Sequence, residues 1–164
     1  MLTLLVSWME EPEGCKQNIQ VIEYFAGVAR ITQMANRLGY QSVAYDLEYG
    51  RKKAATSGRR NPLDLNSNAG MVLAIKLILR GSWNDLIGVF ALCCSSFVPV
   101  NRGTGARDLL VPEGDENIPS VRRSNKLLSR KLVLLKCMHG IIYKHQENRF
   151  SSFSRLCLLL LCCG

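Results

Sequence analysis

The chain has 164 residues, 48% of them hydrophobic, which is enough for one buried core and fits a single domain. Lysine and arginine total 21 against 13 aspartate and glutamate, and the formal charge of +8 fits an anionic partner and a basic solvated surface about equally well. Seven cysteines without a repeated C-x-x-C spacing, beside only two histidines, argue against a zinc site and against a disulfide scaffold.

The two ends of the chain are apolar, but neither has the pattern of a targeting or membrane segment. Residues 1–9 lack a basic flank and are followed by acidic residues, so a signal peptide is not expected. Residues 156–163 are far fewer than the ~20 apolar residues that a membrane helix needs, and they fit a strand, a helix end or a frayed tail. We expect an intracellular protein without a membrane span, in the nucleus or the cytoplasm.

The first regular segments predict a strand, a glycine turn, a helix and a second strand. The β-branched and aromatic run 19–25 predicts a buried strand that stops at a tight turn containing Gly27. Apolar residues at helical spacing predict a helix over 29–38. Residues 41–47 predict a second strand, ending in Asp46. This order within about 30 residues is a βαβ unit.

The middle of the chain continues the same alternation. Residues 48–60 are basic and lack an apolar period, which predicts a loop. Helical spacing of apolar residues predicts a helix over 69–79. The continuous apolar run 86–92 is typical of a central parallel strand that is covered on both faces.

The last third of the chain predicts a long loop, a helix and a strand. Residues 98–120 contain glycine and proline and predict a lid, a binding loop or a disordered segment. Residues 124–138 predict a helix with leucines on one side, and residues 141–143 predict the start of a further strand. Strands that alternate with helices indicate an α/β layered domain.

Residues at the ends of the predicted strands are the first candidates for a site, because ligands of open parallel sheets bind beyond the carboxyl ends of the strands. Gly27 permits close approach of the backbone to a ligand, and the start of the next helix favours an anionic group. Asp46 could accept hydrogen bonds from the ribose hydroxyls of an adenosine ligand. A single glycine instead of G-x-G-x-x-G weighs against the nearest rival, a nucleotide-binding dehydrogenase.

Three segments resemble motifs of the DNA cytosine-5 methyltransferases, in the same order. Residues 21–28, Val-Ile-Glu-Tyr-Phe-Ala-Gly-Val, are similar to the first motif, acidic-x-Phe-x-Gly. Residues 90–97, Phe-Ala-Leu-Cys-Cys-Ser-Ser-Phe, resemble the Pro-Cys-Gln-x-Phe-Ser loop, and residues 147–148, Glu-Asn, resemble the Glu-Asn-Val motif. The resemblance covers about residues 19–152. It implies a truncated or divergent member with a Rossmann-like class I methyltransferase fold, in which a mostly parallel sheet carries helices on both faces.

The resemblance also implies a cofactor, S-adenosylmethionine, and the residues that bind it. Glu23 would hold the methionine end of the cofactor and Asp46 the ribose end. Phe25 and Gly27 would shape the floor of the pocket, and Leu47 completes the set. The corresponding division of the chain is an N-terminal extension at 1–18, a methyltransferase-like domain at 19–153 and an apolar tail at 154–164.

By the same resemblance, Cys94 is the catalytic nucleophile and Glu147 its partner. The Cys94 thiolate would add to carbon 6 of cytosine, and Glu147 would protonate or hydrogen-bond the ring nitrogen. The partner would then be a nucleic acid whose target base leaves the stack. Arg102 and Arg107 are candidates for phosphate contacts or for simple solvation.

The departures from the family pattern support an alternative, which is a degenerate or truncated methyltransferase fold that acts as a basic binding module without catalysis. Cys93 replaces the proline that stiffens the nucleophile loop, Ser95 replaces glutamine, and Arg149 replaces valine. Cys94 could equally be a small buried apolar residue. The pair at 147–148 is also common by chance in polar loops.

Overall fold

The computed structural model describes residues 18–58, 61–82, 85–91, 105–108, 110–147 and 157–160, with backbone alone for 52–55, 57, 141–147 and 157–160. Strands and helices alternate through these ranges. In chain order they are β1 (Val21–Tyr24), α1 (Arg30–Arg37), β2 (Ser42–Tyr45), α2 (Leu47–Ser57), α3 (Asn68–Leu79), β3 (Ile87–Phe90), α4 (Pro119–Glu147) and β4 (Cys157–Leu160).

The strands form one parallel sheet in the order β2-β1-β3-β4. Val21 of β1 pairs with Ser42 of β2 on one side and with Ile87 of β3 on the other. The prediction of an α/β protein with a parallel sheet is therefore confirmed, and the arrangement is compatible with a Rossmann-like fold without being specific to it. Because β1 lies between β2 and β3, the strand order reverses there, and such a switch point is where open sheets leave a crevice for ligands.

Helices lie on both faces of the sheet, as the side chains of β1 show. Successive residues of a strand point to opposite faces, so Tyr24 and Glu23 face opposite ways. The Tyr24 hydroxyl donates to the carbonyl of Ala74 in α3 at 2.7 Å, whereas the Glu23 carboxylate accepts from Thr32 in α1. It follows that α1 covers one face of the sheet and α3 the other.

The main core lies on the α3 face and is built around stacked aromatic rings. Tyr24 stacks on Phe90 of the neighbouring strand, with ring centroids 4.8 Å apart, and its ring is 5.6 Å from that of Tyr45. Gly88 leaves space that the Met138 side chain fills, because a Cβ there would collide with it. The helices contribute Ala74, Ile78, Leu134, Cys137 and Met138 to this core.

Most of the predicted loop at 48–60 is helical, because α2 spans Leu47–Ser57. A side-chain cap at its start, an ion pair on its surface and a glycine at its end stabilise this helix, whose sequence has no apolar stripe. The Asp46 side chain accepts from the Glu48 amide at 2.9 Å, Arg51 pairs with Glu48 at 3.0 Å, and Gly58 ends the helix at a φ of +62°. The basic composition concealed these capping signals.

The predicted strand at 141–143 is also wrong, since α4 continues without a break from Pro119 to Glu147. Gly140 does not end the helix. A glycine inside a helix costs only about 1 kcal/mol relative to alanine, and each further residue adds a backbone hydrogen bond once the helix exists. Propagation of the helix therefore outweighed the β-branched character of Ile141 and Ile142.

The other predicted elements agree with the structure to within a few residues. The helices at 29–38 and 69–79 are α1 and α3, and the run 86–92 contains β3. At the C-terminus, β4 corresponds to the strand alternative. Residues 1–17, which make up most of the predicted N-terminal extension, lie outside the described residues. Among the described residues, no helix has the length and hydropathy required to cross a membrane.

Candidate functional site

The turn after β1 has an unusual backbone. Phe25, Gly27 and Ala29 all have positive φ, at +60°, +52° and +55°. Glycine adopts this conformation freely, but a bulky residue such as phenylalanine rarely does, and such residues cost of order 1–3 kcal/mol each. Backbone strain of this kind concentrates at functional sites, so the turn is a candidate on structural grounds as well as on sequence grounds.

The side chains of Asp46, which follows β2, and of Tyr49 in α2 hold this turn in place. The Gly27 amide donates to Asp46 Oδ2 at 2.9 Å, and the Tyr49 hydroxyl donates to the Gly27 carbonyl at 2.8 Å. Desolvation of its hydroxyl, followed by the charges of Asp46 and Glu23, raises the pKa of Tyr49. Both polar groups of Gly27 are therefore bound, and the ends of β1 and β2 are fixed to each other.

Asp46 joins three parts of the structure. Its Oδ2 binds the turn, while Oδ1 accepts from the Glu48 amide at the start of α2. A carboxylate offers about four acceptor positions, so these two hydrogen bonds leave Asp46 able to accept from a ligand. The predicted role of Asp46 as an acceptor for hydroxyl groups is compatible with this arrangement.

Glu23 has a different position. It is only 4% exposed, and its Oε2 accepts from the Thr32 amide at 2.8 Å and from the Thr32 hydroxyl at 2.6 Å. The residue before α1, Ala29, provides no side-chain cap, so Glu23 supplies the carboxylate that the first turn of this helix lacks. Its visible role is to attach α1 to β1.

A cavity of about 410 Å³ opens at the carboxyl ends of β1 and β2. This volume lies within the range of small-molecule sites, about 300–1,000 Å³. Phe25, Asp46 and Leu47 line it, whereas Glu23 and Gly27 do not, although Gly27 is bound to Asp46. The remaining lining residues come from β2, from the segment before α3 and from α4: Tyr45, Leu63, Asp64, Leu65, Asn66, Arg123, Ser124 and Leu127.

The lining of the cavity combines apolar walls with hydrogen-bond acceptors. Four leucines supply most of the apolar lining, and the carboxylates of Asp46 and Asp64 are the acidic groups. Because carboxylates accept hydrogen bonds, the cavity favours a ligand that carries N–H or O–H donors on a largely apolar body.

The sequence did not predict that residues 63–66 form a wall of the cavity. It also did not predict which residue holds that wall in place. Arg130 of α4 donates from Nη1 to the carbonyls of Leu65 and Ser67, both at 2.6 Å, and from Nη2 to Asn68 Oδ1 at 2.8 Å. These partners lie more than 60 residues away in the sequence. No local pattern could have revealed this contact.

Of the two arginines that were predicted to contact phosphates, the structure describes Arg107. Arg107 is buried, and it donates from Nη1 to the Pro112 carbonyl at 2.6 Å and from Nη2 to Asn125 Oδ1 at 2.7 Å. Its guanidinium therefore fastens the segment before α4 to that helix and is not presented to a phosphate. Arg102 lies outside the described residues.

The predicted catalytic pair is not brought to the cavity by any described contact. Cys94 and its loop lie outside the described residues, and Glu147 is the last residue of α4, where the backbone alone is described. Their roles stay predictions. In the described ranges, no three histidine, cysteine, aspartate or glutamate side chains are grouped as a metal site would require.

No protein-family model, curated protein or solved structure matches the chain. What points to a function is therefore the resemblance of the motifs and the geometry of the cavity. The motif resemblance predicts that Phe25, Asp46 and Leu47 bind a cofactor. The same three residues line the cavity.

Proposed function

We propose that the chain binds S-adenosylmethionine in the cavity beside Asp46 and is a methyltransferase-like protein. The observation that carries the proposal is the position of Asp46. It directly follows β2, which lies next to the switch point, binds the strained turn through Gly27 and lines the cavity. An acceptor in this place suits the hydroxyl groups of a ribose.

The chemistry of the cavity supports this ligand. An adenosyl group has a flat apolar body, hydroxyl donors on the ribose and an amine donor on the base. The cavity supplies leucine walls and the carboxylates of Asp46 and Asp64. S-adenosylmethionine would supply an electrophilic methyl group, while the residues of this chain would bind and orient the molecule that carries it.

The methyl acceptor in this proposal is cytosine in DNA. It is supported by the resemblance of the segments around Cys94 and Glu147 to the cytosine-5 motifs and by the formal charge of +8, which suits an anionic partner. The replacement of proline by Cys93 favours the alternative, a binding module that retains the cofactor cavity without catalysis.

The first experiment is calorimetric titration of the full chain with S-adenosylmethionine. Ser124 lines the cavity, and a Ser124→Phe substitution would fill part of it. Ser129→Phe places the same side chain at an exposed position of the same helix and is the matched control. We expect saturable binding by the wild type and by Ser129→Phe, and at least a tenfold weaker affinity for Ser124→Phe.

Circular dichroism and thermal unfolding of all three proteins establish that they are folded. Absence of binding by a folded wild type would refute the proposal. Once binding is established, transfer of a labelled methyl group to cytosine-containing DNA, compared between wild type and Cys94→Ser, separates the enzyme from the binding module.

A further inference from the structure

The lining of the cavity carries charges of both signs. Asp46 and Asp64 lie on the side of the strand ends and of the segment before α3, whereas Arg123 lies on the side of α4. Arg123 is the only basic residue among the described residues that line the cavity. A ligand that matches this lining carries hydrogen-bond donors for the two carboxylates and an anionic group for Arg123.

Among the described residues, the arginines near Arg123 are engaged within the protein, whereas Arg123 is not. Arg107 and Arg130 donate to backbone carbonyls and to asparagine side chains, and Arg122 donates from Nε to the Glu116 carbonyl at 3.0 Å. Within the described part of the chain, the Arg123 guanidinium makes no such hydrogen bond or ion pair, and its residue is exposed. It is therefore available to a ligand in the cavity.

We propose that Arg123 binds an anionic substituent of the ligand and thereby selects nucleosides that carry a carboxylate. The inference rests on the proposed function, in which the substituent is the α-carboxylate of S-adenosylmethionine. A guanidinium presents parallel N–H donors that match a carboxylate, and such charge-assisted hydrogen bonds are among the strong ones.

The position of Glu23 supports the same assignment. The motif resemblance gives the methionine end of the cofactor to Glu23, but this carboxylate is buried, binds Thr32 and does not line the cavity. A second carboxylate beside it would also be repelled. Arg123 is the group on the cavity wall whose charge attracts a carboxylate, so recognition of this end of the ligand shifts from β1 to α4.

The test compares two ligands that differ only in the carboxylate, S-adenosylmethionine and its decarboxylated analogue, by calorimetric titration of the full chain. The wild type should bind S-adenosylmethionine about tenfold or more tightly than the analogue. In Arg123→Gln the affinity for S-adenosylmethionine should fall to that for the analogue, whose own affinity should not change. Arg122→Gln is the matched control, because Arg122 is the neighbouring residue and does not line the cavity.

Each outcome has a distinct meaning. If Arg123→Gln weakens the binding of both ligands equally, or weakens the binding of neither, the inference is overturned while the proposed cofactor site stands. If Arg123→Gln leaves the binding of both ligands unchanged but weakens the binding of DNA, Arg123 is instead assigned to phosphate contacts. If the folded wild type binds neither ligand, the proposed function fails and the inference fails with it.

Discussion

The Asp46 carboxylate accepts a hydrogen bond from the Gly27 amide at 2.9 Å and connects two strand ends that are 19 residues apart in the sequence. The same carboxylate caps α2 through the Glu48 amide. One side chain therefore holds the strained turn after β1, the start of a helix and part of the cavity wall. The local structure and the proposed ligand site depend on the same residue.

Substitution of Asp46 should lower stability before any ligand is considered. Asp46→Ala removes the cap of α2 and the acceptor for Gly27, and we expect the free energy of unfolding to fall by about 1–3 kcal/mol. Asp46→Asn keeps one acceptor oxygen, so its free energy of unfolding should fall by less than that of Asp46→Ala. Urea unfolding of the three proteins measures the difference, and an equal loss in both variants would show that the two hydrogen bonds do not contribute separately.

The buried contact between Glu23 and Thr32 should be worth more than an exposed hydrogen bond. Glu23→Ala leaves the amide and the hydroxyl of Thr32 unpaired in a buried place, and we expect a loss of about 2–3 kcal/mol. Thr32→Val removes one of the two donors and should lose about 1 kcal/mol. Urea unfolding of the single and double variants gives the coupling between them, and strictly additive losses would contradict the contact.

The positive φ of Ala29 predicts a substitution that stabilises the protein. At +55° a residue with a Cβ is strained by roughly 1 kcal/mol relative to glycine, so Ala29→Gly should raise the free energy of unfolding. Ala35→Gly makes the same chemical change inside α1, where it should lower stability by at least about 0.5–1 kcal/mol. Thermal unfolding of the pair should show shifts of opposite sign, and shifts of the same sign would argue against strain at Ala29.

The βαβ unit was predictable because its signals are local. A β-branched run, a glycine and an acidic residue after the second strand stand within 30 residues of one another, and the structure places β1, α1 and β2 accordingly. By contrast, α2 depends on hydrogen bonds at its ends, which a basic composition conceals. The unbroken α4 depends on helix propagation through Gly140, which a reading of single residues underestimates.

The candidate site was predictable only in part, for the same reason. Phe25 and Asp46 follow strands and could be named from the sequence. The opposite wall depends on tertiary packing, since Leu127 and Arg123 reach the cavity from a helix about 80 residues further along the chain. A pattern search confined to neighbouring residues cannot find a wall of this kind.

Two buried tyrosines predict a loss of stability in alkaline solution. Burial, then the charges of Tyr45 and Cys137, raises the pKa of Tyr24 well above its ordinary value of 10.0. Burial, then the charge of Asp64, raises the pKa of Tyr45, and Arg130 opposes this. Both hydroxyls donate to helix carbonyls, those of Ala74 and Gly70, as only the protonated form can.

Because the folded state holds these protons more tightly than the unfolded chain does, the stabilisation is complete below the unfolded pKa of 10.0 and is lost as the pH rises above it. Tyr45→Phe should weaken this pH dependence at the cost of about 1 kcal/mol at neutral pH, the value of one hydrogen bond. Urea unfolding between about pH 8 and pH 11 measures it. Tyr40→Phe, at an exposed tyrosine, should leave the alkaline loss in place, since Tyr24 and Tyr45 are unchanged. A stability independent of pH over this range in the wild type would mean that the two hydroxyls are not buried donors.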